Sequence, residues 1–142
     1  MEDNDSYVRW QNIRITQLGF ANNLIILLAV ALLGFGISFL KDTTTLNSYQ
    51  KFFFWCGSTL VLTSIGFGIA VIINRLDDFK KTAQISRKRE TGNRTGIENE
   101  RQETKELGER TWNYFITQVS TFLIDFLCLL FLVLIEYIDK IT

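Results

Sequence analysis

Three long apolar runs, separated by polar intervals of unequal length, set the frame of this chain. The first, "LGFANNLIILLAVALLGFGISFL", covers residues 18–40. The second, "FFFWCGSTLVLTSIGFGIAVII", covers 52–73, and the third lies within 112–138, its apolar part running over 115–135. At the helical rise of about 1.5 Å per residue each is long enough to cross a hydrocarbon core of about 30 Å. The pattern therefore predicts an all-α membrane protein with three transmembrane helices. Asn22 and Asn23 place the start of the first span near a headgroup boundary. Proline is absent, which suits long uninterrupted helices, because proline removes a backbone donor and clashes with the preceding turn.

The polar intervals complete the layout: an N-terminal helix over 1–17, a short loop over 41–51, a helical hairpin over 74–111 and a tail over 139–142. In the hairpin, "NRLDDFKKTAQISRKRE" continues the second span with Leu76, Phe79 and Ala83 at helical spacing. "IENERQETKELGERTW" leads into the third with Ile97, Thr104, Leu107 and Thr111, and "TGNRTG" between them reads as a turn. The two arms are equal in length, and their charges are complementary: residues 75–94 hold seven basic and three acidic side chains, residues 97–111 three basic and five acidic. Folding about residue 93 is expected to bring Arg89 toward Glu98 and Lys81 toward Glu106, with Asp77–Lys81 and Glu106–Arg110 as pairs within each arm. In the N-terminal segment Tyr7, Trp10, Ile13 and Gln17 share one helical face. They are expected either to complete a bundle with the hairpin or to lie flat on the membrane surface.

Charge gives the orientation. Ten of the fifteen Lys and Arg fall between residues 75 and 110, so the positive-inside rule puts the hairpin in the cytoplasm, together with the N-terminus and its Arg9 and Arg14. The loop over 41–51 and the C-terminus then lie in the periplasm of a bacterial inner membrane. A cleavable signal peptide is disfavoured, because the first run is too long for one and follows the acidic "MEDNDS".

Histidine is absent, which removes the commonest general base and nitrogen ligand. Cys56 and Cys128 both fall in apolar runs without CxxC spacing and read as packing residues. No phosphate-binding loop, nucleophile elbow or dinucleotide fingerprint is present. The expectation is a protein that is not an enzyme and uses no cofactor or metal.

Candidate chemistry narrows to the third span. Gln118, Thr121, Asp125 and Cys128 follow one another at spacings of three, four and three, with Thr117 alongside, so one face carries a polar stripe. Asp125 falls near the middle of the run, where a charged carboxylate costs about 2.5 to 3.5 kcal/mol on insertion scales. Two readings stay open. In one, a neutral carboxyl bonds to Thr or Ser of a neighbouring helix, with Thr59, Thr63 and Ser64 of the second span as donors. In the other, several copies arrange Asp125, Thr121, Gln118 and Thr117 around an axis as a path for cations or protons. Ser64 with Gly68, Gly66 with Ala70 and Gly34 with Ser38 offer small residues for close helix approach. The run Arg87, Lys88, Arg89 stands beyond the reach of lipid charge on an upright arm and reads as a solvated tip or a docking point for a partner. Nucleic acid is not an expected partner. The Asn93 glycosylation pattern is fortuitous on the cytoplasmic side.

The segments "RITQLGFANNLIILLAVALL", "NRLDDFKKTAQISRKRE" and "LGERTWNYFITQ" resemble a recurrent group of small bacterial three-span proteins of uncharacterised function, found in mobile and defence-associated gene neighbourhoods. The resemblance covers most of the chain and implies a membrane effector role, without catalytic residues to carry over. The expected function is an oligomeric inner-membrane effector that alters permeability in antiphage defence, assembling with copies of itself in lipid and triggered by a cytoplasmic protein. A membrane-anchored adaptor or small subunit of a larger complex, and a holin-like lysis protein, are the alternatives.

Overall fold

A computed structural model describes the backbone of residues 2–42, 46–92 and 95–141, and the side chains of 13–41, 46–92 and 95–138. Helix α1 runs over Glu2–Asp42, α2 over Ser48–Glu90 and α3 over Ile97–Ile141. All three contain stretches long and apolar enough to cross a membrane. Each polar arm expected beside a span is the same helix continued, so no break separates the span from its extension. The loop after the first span is shorter than expected, because α1 continues to Asp42 and α2 already begins at Ser48.

Local chemistry fixes the ends of α2. At its start the Asn47 side chain accepts from the Ser48 N–H at 2.7 Å, and Gln50 Oε1 accepts from the Asn47 N–H at 2.7 Å. This reciprocal capping satisfies amides that the first helical turn leaves free. At the far end Gly92 and Gly96 adopt φ of 72° and 78°, a region that L side chains rarely enter. The expected turn over 91–96 is thus the reversal that starts α3, with residues 93 and 94 outside the described part.

The distribution of polarity is inverted relative to a protein folded in water. Phe20, Leu27, Trp55, Leu62, Leu123 and Phe131 point outward, while Asn22, Ser64, Gln118 and Asp125 are buried. An apolar exterior around a polar interior is stable only where the surroundings are themselves apolar. The chain is a multi-pass membrane protein. Trp112 and Tyr137 on α3, both exposed, lie about 37 Å apart along the helix, which matches aromatic belts at two interfaces.

Buried positions recur every seven residues. On α2 these are Gln50, Gly57, Ser64, Val71 and Ile85, with the half-buried Asp78 in step; on α3 they are Thr111, Gln118, Asp125 and Leu132, with the half-buried Thr104 before them. A seven-residue recurrence keeps two helices in register by winding them round each other, so α2 and α3 form one antiparallel pair from membrane to hairpin tip. Helix α1 joins it through Asn22, Ala29 and Gly36, again seven apart, and packs chiefly on α2. Between α1 and α3 an apolar cleft of about 580 Å³ is left, bordered by Leu28, Phe35, Phe122 and Phe126 among others.

The hairpin closes through pairs other than those expected. Lys81 pairs with Glu103 at 2.5 Å rather than with Glu106, and Lys88 rather than Arg89 pairs across the arms, with Glu100. Neither Asp77–Lys81 nor Glu106–Arg110 forms an ion pair among the described residues. The expected fold axis holds, but Lys81 reaches a glutamate about one turn from the expected one, and at the tip both partners change, to Lys88 and to Glu100 two residues from Glu98. Ile85 is buried beneath the pairs. Ile13 is half-buried and Gln17 exposed, while the side chains of Tyr7 and Trp10 lie outside the described residues.

Lys81 holds the Glu103 carboxyl below its ordinary value. Glu103 therefore contributes stability above the unfolded-chain value of 4.5, and that contribution is lost as the pH falls through the lowered folded value. Protease cleavage near residues 91–96 is expected to speed up at low pH and after Glu100→Lys with Glu103→Lys. The pair Glu98→Lys with Glu106→Lys should change it less. Equal cleavage of the two double variants would contradict the observed pairing.

Candidate functional site

The interior of the helix pair carries a file of polar groups. Nearest the hairpin, Asn74 Nδ2 donates to Leu107 O and to Thr111 Oγ1, both at 2.7 Å. The next level joins all three helices: Asn22 Nδ2 donates to Gly68 O at 3.3 Å, Gln118 Nε2 to Asn22 O at 3.5 Å, and Ser64 Oγ to Gln118 O at 3.0 Å. Close approach makes this junction possible. A Cβ on Gly68 would lie 2.6 Å from Gln118 Nε2 and 2.7 Å from Ile26 Cγ1.

Asp125 follows seven residues further along α3, about 10 Å away. It is completely buried and rests against Gly57, where a Cβ would lie 3.1 Å from its Oδ1. Neither carboxyl oxygen has a hydrogen-bond partner within the protein. The nearest polar neighbours are thiols: Cys128 lies beside it on α3 and meets Cys56 of α2 across the seam. Beyond the apolar Leu129 and Leu132, the file ends where Gln50 Nε2 donates to Glu136 Oε2 at 2.7 Å.

The two members of the expected stripe that matter most, Gln118 and Asp125, are thus brought into one seam. Thr121 and Thr117 are half-buried and spend their hydroxyls on their own helix, Thr121 on the carbonyls of Thr117 and Gln118 and Thr117 on that of Asn113. The expected donors from the second span do not serve Asp125 either. Thr59 and Thr63 are exposed and bond to Trp55 O and Thr59 O, while Ser64 serves Gln118 O. In the single chain Asp125 faces its own α2, not an outer surface.

Asn22, expected only to lie near the start of the first span, turns to the interior of the bundle, whereas Asn23 is exposed. Of the small-residue pairs, Ser64 and Gly68 lie in the seam, but Gly34, Ser38 and Gly66 are exposed. At the hairpin tip Lys88 is taken up by Glu100, and Arg87 and Arg89 remain exposed, with Arg89 bordering a shallow cleft with Gly96, Ile97, Glu98 and Arg101.

No family model, curated protein or solved structure matches the chain. Function therefore has to be argued from the seam itself. Of its residues, Asn22, Asn74 and the Gln50–Glu136 pair were missed by reading apolar runs singly. The signal that finds the seam is the seven-residue step from Thr104 through Thr111 and Gln118 to Asp125. Chemically, the file supplies oxygens that accept hydrogen bonds and two carboxyls, Asp125 within the span and Glu136 at its far end. Among the described residues no group of three acidic or thiol side chains could gather a metal ion.

Proposed function

We propose that this protein is an effector of the bacterial inner membrane that alters its permeability, working as an assembly of copies in antiphage defence. The observation that carries the reading is Asp125, fully buried within a span and without a hydrogen-bond donor for either oxygen. An ionisable group at such depth is expensive to insert, and its usual justification is an ion or proton pathway. The resemblance to small three-span proteins of defence-associated neighbourhoods points the same way. In this reading the cytoplasmic hairpin receives the trigger, and copies associate through the apolar outer faces of the spans.

Expression of the intact chain in bacteria, followed with a potential-sensitive dye and a membrane-impermeant nucleic-acid stain, tests it. Depolarisation or stain entry that tracks protein level is expected. Unchanged permeability at high expression would favour the second reading, a membrane-anchored adaptor that docks through the exposed Arg87 and Arg89 beside the cleft at Glu98 and Arg101.

The orientation has its own check. A reporter fused after Thr142 should report the periplasm and one inserted between Gly92 and Gly96 the cytoplasm, because the basic residues are concentrated on the hairpin side. The reverse pair of results would invert the topology.

A further inference from the structure

The side-chain atoms buried without a partner share one property. They are Asn22 Oδ1, Gln118 Oε1, both oxygens of Asp125, Asp78 Oδ1 and Glu100 Oε2, all of them acceptors. Asn22, Gln118 and Asp125 are at most 1% exposed, and the amide and hydroxyl donors beside them, Asn22 Nδ2, Gln118 Nε2 and Ser64 Oγ, are spent on backbone carbonyls. A buried acceptor left unpaired is costly in a medium of low dielectric. What such a file can take up is a donor small enough to enter between packed helices.

We propose that the α2–α3 seam is a proton path through the single chain, in which water donates to the orphaned oxygens of Asn22, Gln118 and Asp125 and the Asp125 carboxyl relays the proton. The proposal rests on the permeability reading and names the ion and the route. A dehydrated metal cation is a poor occupant. It needs about six or more oxygens gathered around it, whereas Gln118 and Asp125 are about 10 Å apart along α3. Water chains need only one acceptor at a time.

In the relay the neutral carboxyl passes its proton to water on one side, forming a hydronium ion there. The carboxylate then takes a proton from a hydronium ion on the other side, leaving water there, so the Asp125 carboxyl is regenerated and one proton has crossed. The titratable groups beside it are the Cys56 and Cys128 thiols. Glu136 stands 11 residues along α3, about 16 Å away.

Buried apolar side chains close the path at both ends in this conformation. Val71 separates the Asn22–Gln118 level from Asn74 and Thr111, while Leu129 and Leu132 separate Asp125 from the Gln50–Glu136 pair. Conduction therefore requires these plugs to part, and trimming them removes the need for a trigger.

The test uses the full chain in liposomes loaded with a pH-sensitive dye, with potassium and valinomycin supplying the driving potential. The wild type and Val71→Ala with Leu129→Ala and Leu132→Ala are compared, each with and without Asp125→Asn. The trimmed variant is expected to carry protons, to exclude an entrapped anionic dye, and to fall to the protein-free rate when Asp125→Asn is added. Proton flux that survives Asp125→Asn and is accompanied by dye loss would overturn the relay and leave a wider pore, so the permeability reading would stand. No flux of protons or dye in any variant would overturn both. A measurement on the wild type guards against misfolded variants: an infrared carboxylic acid band that is absent in Asp125→Asn should shift in deuterated water. A band that never shifts would mean that water does not reach Asp125, and the relay would be wrong.

Discussion

Replacing Gly68 with alanine is expected to lower the stability of the solubilised protein, while alanine at Gly66, two residues earlier, leaves it unchanged or raises it. The difference lies in what a single methyl group meets. At Gly68 it would come within 2.8 Å of Gln118 Nε2 and of two carbons of Ile26, at a level where hydrogen bonds join all three helices. Gln118 is fully buried and already bonded to the α1 backbone, so it has little room to withdraw. Overpacking of this kind costs about 1 to 3 kcal/mol.

At Gly66 the same methyl meets nothing within 4 Å, and alanine is the better helix former by up to about 1 kcal/mol. Unfolding in increasing denaturing detergent measures both. The order Gly68→Ala below wild type, with Gly66→Ala at or above it, is the expected result. If Gly66→Ala were the more damaging change, the outward face of α2 would be an interface between copies and the Asn22–Gly68–Gln118 junction would not dominate.

How much of this was legible beforehand depended on whether a residue's neighbours lie on its own helix. The three apolar helices, the turn at Gly92 and Gly96, and the shared face of Gln118 and Asp125 follow from periodicity along one helix, and the structure has them. For Asn22 the apolar run shows only a polar residue near its start, not that the side chain turns inward. Its depth is set by Gly68 on another helix, where a missing side chain exposes the carbonyl that Asn22 reaches.

Thr59 and Thr63 were misassigned for the opposite reason. A threonine hydroxyl can bond to the carbonyl four residues back in its own helix, and both do so. The ion pairs of the hairpin differ from the expected ones, Lys81 by about one turn and the tip pair by one or two residues on each arm, because lysine is long enough to reach glutamates on either side. Exposed pairs of this kind differ by only a few tenths of a kcal/mol. Charge balance along the arms therefore predicts that they pair, and local packing, here around Ile85, selects the partners.

Substitution of Asp125 by leucine is expected to stabilise the resting fold and to abolish permeability activity. A carboxyl held by threonine or serine would behave in the opposite way, since leucine would strand those donors. No donor faces Asp125 within the protein, so leucine removes two unmet acceptors and leaves nothing unpaired behind. An unsatisfied buried group costs about 1 to 3 kcal/mol, which sets the size of the expected gain. Leucine branches at the same carbon as aspartate, so its methyl groups would take the place of the carboxyl oxygens against Gly57. Asp125→Asn keeps the shape and a polar amide, so its stability should stay close to wild type while the exchangeable proton is lost. Both variants should then be inactive, but only leucine should be more resistant to denaturing detergent. This separation of stability from activity is the signature of a group retained for function at the expense of the fold. A leucine variant less stable than wild type would show instead that Asp125 is satisfied in the assembled protein by a partner copy, and that its burial serves structure.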